Sequence, residues 1–107
     1  MKTRLSLLLA LPGLALCLSS PSLAADAVEG EVLARENCAR CHNIGKGGAF
    51  KQKPPSFQAI SIYRTADDIW SRIIAPSPHS GMPDVQWALT PDQVQDLVAY
   101  IASLDTP

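Results

Sequence analysis

The sequence predicts a small all-α domain of three to four helices. Three observations carry this. Three segments repeat apolar or small side chains at intervals of three and four, and two of them open on a threonine cap. No segment alternates apolar and polar residues convincingly with period two, so no sheet is expected. At 107 residues, 47% hydrophobic and 18% charged, the chain has the apolar content of a folded protein and the length of one domain.

The first helix is expected over Asp26 to Asn37. Val28 and Val32 form one stripe, and Gly30, Ala34 and Cys38 form another whose small side chains allow a close helix crossing. Asn43 to Pro55 reads as a Gly- and Lys-rich loop. Ser56 to Tyr63 reads as a short helix carrying Phe57 and Ile60. Thr65, with Asp68 three residues later, predicts a capping box. It opens a helix with an apolar face of Ile69, Trp70, Ile73 and Ile74, stopped by Pro76. Thr90, Pro91 and Gln93 open the last helix. Its stripe is Val94, Leu97, Val98, Ile101 and Leu104. There is no internal repeat.

The N-terminus reads as an address. Lys2 and Arg4 precede an apolar stretch from Leu5 to Leu18 that Pro12 and Gly13 interrupt, and Ser22-Leu23-Ala24 offers the small residues a signal peptidase reads. Residues 1–24 are therefore expected to be a removed signal peptide and 25–107 the domain, with cleavage after Ala25 as the second choice. A membrane anchor is disfavoured because a span needs about 20 apolar residues. A lipoprotein signal at Cys17 is disfavoured because Leu16 stands where a small residue is needed. Cleavage removes 24 of the 107 residues and leaves 83. Basic residues fall from 9 to 7 against 10 acidic ones, a net charge of −3. The formal charge of the whole chain, −1, already argues against nucleic-acid binding through bulk positive charge. Cys17 leaves too, so Cys38 and Cys41 remain. An exported domain this small usually needs staples or a metal, and two cysteines three positions apart close too small a loop to staple a fold.

Cys38-Ala39-Arg40-Cys41-His42 is C-x-x-C-H, the attachment motif for a c-type haem. One helical turn sets two thiols where they add to the two vinyl groups of one porphyrin, and the adjacent His42 then lies beneath the iron. A thioredoxin-like dithiol would want a preceding strand and a βαβ unit, and neither is visible. A zinc site would want two further ligands, and only His79 offers itself. Composition narrows the sixth ligand. After cleavage the chain has one methionine, Met82, and two histidines, His42 and His79. A thioether ligand must be Met82, and a second imidazole must be His79. Met82 precedes Pro83, which pushes it into an extended conformation, and Pro76, Pro78 and Pro83 stiffen its loop. The plain alternatives are a core-filling Met82 and a solvated His79.

A helix ending in C-x-x-C-H, a Pro-bearing loop, a middle helix, a Gly-Met-Pro loop and an amphipathic last helix together resemble a class I bacterial cytochrome c. The likeness covers essentially the whole of 25–107. It implies the small cytochrome c fold, with three to four helices around one covalently bound haem c, Cys38 and Cys41 as thioethers, and His42 and Met82 on the iron. It implies that Gly30 and Ala34 cross Leu97 and Tyr100, Ala34 standing where many members carry an aromatic. A proline carbonyl is implied as acceptor for the proximal imidazole. Pro54 and Pro55 both fit, and Phe57 two residues on favours Pro55. Apolar walls from Phe57, Ile60, Ile69, Trp70, Ile73 and Trp87 would keep water from the haem, and Trp70 would either donate to a propionate or simply pack. The function implied is one-electron transfer and not enzymatic catalysis. The carrier would be a periplasmic monomer when free, with no stable membrane insertion, or a cytochrome subunit of a dehydrogenase or oxidase chain. Redox partners would dock near Arg40, Lys46, Lys51 and Lys53. The alternative is a haem enzyme or gas sensor with an open sixth site.

Overall fold

The computed structural model describes residues 24–47, 53–78, 81–85 and 87–106. The expected signal peptide, apart from Ala24, lies outside the described residues, as do Lys51 and His79. The described residues form four helices, α1 (Ala27–Asn37), α2 (Phe57–Tyr63), α3 (Ala66–Ile74) and α4 (Pro91–Ser103), and no strand.

Each helix starts where a side chain can satisfy its first unpaired N–H groups. Asp26 caps α1, its carboxylate accepting from Val28 N–H at 2.8 Å and Glu29 N–H at 3.2 Å. Ser56 caps α2 by accepting from Ala59 N–H at 3.1 Å. At α4 the expected box is complete. Gln93 N–H donates to Thr90 Oγ1 at 3.2 Å, and Thr90 N–H donates to Gln93 Oε1 at 2.9 Å. At α3 only half of the expected box forms. Asp68 N–H donates to Thr65 Oγ1 at 3.2 Å, but the Asp68 carboxylate does not reach back. Two cations take it instead, Arg64 at 2.7 Å and Arg72 at 3.0 Å.

α4 is the central element, and α1, α2 and α3 all pack on it. Its predicted stripe, Val94, Leu97, Val98, Ile101 and Leu104, is buried throughout. Burying a side chain of this size contributes about 1.5–3 kcal/mol. The small-residue stripe of α1 makes the close crossing. A Cβ on Gly30 would stand 2.0 Å from the Asp96 carbonyl oxygen and 2.8 Å from Tyr100 Cβ. Tyr100 is thus the expected partner, the Asp96 backbone is an unexpected close one, and Leu97 is buried in the same core cluster as Ala34. Asp96 also holds α1 from its side chain, accepting from Asp26 N–H at 2.7 Å. The valine stripe of α1 faces out, with Val28 76% exposed.

Candidate functional site

The C-x-x-C-H segment is a continuation of α1 by turns. Cys38 N–H and Ala39 N–H both donate to the Ala34 carbonyl, at 2.8 and 3.0 Å, and Cys41 N–H and His42 N–H donate to the Cys38 carbonyl at 3.1 and 2.9 Å. The helix end, the two cysteines and the histidine are therefore one hydrogen-bonded unit. Both cysteines are free thiols, Cys38 half-buried and Cys41 exposed. Burial pushes the Cys38 thiol up to about 11, so it is protonated at neutral pH until it reacts.

His42 is half-buried and its Nδ1 lies 2.7 Å from the Pro55 carbonyl oxygen. A carbonyl only accepts, so Nδ1 carries the hydrogen and the Nε2 lone pair remains for a Lewis acid. Of the two candidate prolines, Pro55 makes this contact. Phe57 covers the same imidazole, with ring centroids 5.3 Å apart and planes at 49°. Its own N–H donates to the Asn43 carbonyl at 2.9 Å. Two thiols one turn apart and an imidazole with a committed tautomer fit haem attachment. Among the described residues no group of three or more His, Cys, Asp or Glu side chains is placed to hold a metal ion.

The structure brings Cys38, Cys41, His42, Pro55 and Phe57 together. The other expected haem contacts come from elsewhere in the chain. Met82 is half-buried on the segment between α3 and α4, after Gly81, whose φ of +71° is a conformation that side chains disfavour. Trp70 is half-buried and lines a groove between α3 and α4 with Asp67, Gln95, Val98 and Ala102. Trp87, expected as an apolar wall, is 88% exposed and packs in no part of the core. One supporting contact escapes a reading of patterns. Tyr100 hydroxyl donates to the Ile44 carbonyl at 2.8 Å, tying the segment after His42 to α4. Burial, helped by Glu31 and opposed by Arg35, holds the Tyr100 hydroxyl above its ordinary range. Its one available signal is that a buried tyrosine hydroxyl needs a partner.

The basic residues divide into two groups. Arg35 pairs with Glu31 at 2.7 Å, and Arg64 and Arg72 share Asp68. Arg40 and Lys53 are exposed. Lys46 is exposed too, but its Nζ donates to the Thr106 carbonyl at 2.5 Å, so part of its hydrogen-bonding capacity is used within the fold. No described helix is long and apolar enough to cross a membrane.

A family model described as cytochrome C oxidase, cbb3-type, subunit III matches residues 25–101. A protein named cytochrome c6 from Nostoc sp. is 35% identical over 85 residues, covering 78% of this chain and 75% of the relative. One named cytochrome c-552 from Bradyrhizobium diazoefficiens is 34% identical over 87 residues, covering 80% and 82%. No solved structure matches with significance.

Proposed function

Because the chain belongs to the cytochrome c family and is an electron-transfer protein carrying haem c, we propose that it is a periplasmic one-electron carrier with His42 and Met82 as iron ligands and Cys38 and Cys41 as the thioethers. In this reading residues 1–24 are the export signal and 25–107 the working domain. The observation that carries the reading is the hydrogen bond from His42 Nδ1 to the Pro55 carbonyl. It fixes the tautomer, aims Nε2 away from the loop, and raises the basicity of the imidazole as a ligand. Bound haem supplies a couple between ferric and ferrous iron. The residues of the chain hold its surroundings constant between the two states. His42 and Met82 would hold the iron, Met82 through a thioether that favours the ferrous state relative to a second imidazole. Phe57, Ile69 and Ile73 are buried and exclude water, which disfavours the extra charge of ferric iron. The carrier would pass electrons between a dehydrogenase or membrane complex and an acceptor, as a free monomer or as a subunit of such an enzyme. The basic segment around Arg40, Lys46, Lys51 and Lys53 would face its partner.

The test is an optical spectrum of the purified ferrous protein with and without carbon monoxide. A six-coordinate spectrum that ignores the gas is expected. Gas binding by the wild type would overturn the Met82 assignment and favour an open-site enzyme or sensor. N-terminal sequencing of the protein from a periplasmic extract should read from Ala25.

A further inference from the structure

The His42 imidazole is contacted by a tilted aromatic ring as well as at its nitrogen, and the chain of contacts continues to the helix crossing. Phe57 is 3% exposed and stands between His42 and Tyr100, with its ring 5.3 Å from the imidazole and 6.5 Å from the tyrosine. Tyr100 is fixed by its hydroxyl on Ile44 and by the contact of its Cβ with the Gly30 site. Phe57 starts α2, and its N–H is fixed on Asn43, the residue after His42. Three rings in series thus connect the α1–α4 crossing to the imidazole plane.

We infer that Phe57 is a positioning residue for His42: its ring sets the rotation of the imidazole and keeps the Nδ1–H bond to Pro55 away from water. The inference rests on the reading of His42 as an iron ligand. Its physical basis is that a ring contact holds an orientation as well as burying area, and that a partner that orients a metal-bound imidazole tunes the metal. Leucine at this position would fill much of the volume but would not hold a plane.

Two magnetic-resonance readouts on the ferric haem-loaded protein test this. One is the exchange rate of the His42 Nδ1–H with solvent. The other is the spread of the hyperfine-shifted haem methyl resonances, which follows the orientation of the axial imidazole. Phe57→Leu is expected to speed Nδ1–H exchange about tenfold, the size of a lost aromatic contact, and to change the methyl spread. Val94→Ala, an equally buried change on α4, is expected to move neither. Phe57→Ala should exceed Phe57→Leu, and if it fails to fold the leucine variant decides alone. A Phe57→Leu protein with wild-type exchange and methyl spread overturns the inference. If the His42 ring protons carry no hyperfine shift in the wild type, the ligand assignment itself is overturned.

Discussion

In the proposed reading Met82 is the sixth iron ligand and His79 the alternative, and a single substitution separates them. Met82→Ala should admit carbon monoxide or cyanide, lower the reduction potential, and abolish the red-region charge-transfer band expected of a ferric iron–thioether bond. His79→Ala should leave the spectrum unchanged, and a shift there instead would give the position to histidine. At this scale the sequence is legible wherever a side chain does the chemistry. Cys38, Cys41 and His42 announce themselves because no other residue types serve. The acceptor for His42 is different, since a backbone carbonyl has no residue identity. Pro54 and Pro55 were separable only by likeness to a family, and the 2.7 Å contact at Pro55 comes from the folded loop. Gly81 was legible as part of a Gly-Met-Pro run, but its reason, a φ of +71°, is a property of the fold.

At the scale of elements, the crossing of α1 and α4 leaves no space at Gly30. Even Gly30→Ala should therefore destabilise the haem-loaded protein, by about 1–3 kcal/mol as overpacking does, and Gly30→Val by more. Denaturant midpoints measure this, and an unchanged midpoint for the valine variant would remove the close crossing. Asp68 gives a prediction with a pH sign. The hydrogen bond from Arg64 chiefly, and the contact with Arg72, hold its carboxyl below the ordinary 3.8 against some opposing burial. A depressed carboxylate contributes stability above its unfolded-state value and loses it as pH falls through the folded one. Asp68→Asn should accordingly lower the midpoint at neutral pH, and the difference should vanish well below pH 3.8. Helix positions and the α4 stripe were legible because period and cap residues are local. The half-formed box at Thr65 was not, because Arg64 and Arg72 outbid the backbone for Asp68. The inward stripe of α1 was legible from its small residues, Gly30 and Ala34, although Val28 and Val32 are the more apolar choice; that the Asp96 backbone is what demands it was not.

For the whole molecule, charge distribution and connectivity set what can be tested. Arg35, Arg64 and Arg72 are paired within their own helices or caps, which leaves Arg40, Lys46, Lys51 and Lys53 as the other basic residues of the sequence segment that begins in C-x-x-C-H. If this segment steers an acidic partner, electron-transfer rates should fall as salt rises. Lys46, Lys51 and Lys53 reversed to Glu should be slow at low salt and lose that dependence. Identical salt curves for both proteins would show that these lysines do not form the docking rim. Lys53→Glu alone should act more strongly than Lys46→Glu, whose ammonium already serves Thr106. The clasp of Asp26 by Asp96 has a consequence in time. Seventy positions separate its two ends, so α1 is made first and covered last, and closure waits for distant residues to arrive. A chain of residues 25–90 should therefore show little helix by circular dichroism, and Cys38 and Cys41 should alkylate at similar rates. In the exported chain the attachment segment would stay accessible to whatever delivers the porphyrin, and docking of the final thirteen-residue helix would then fix Cys38, which is half-buried in the fold.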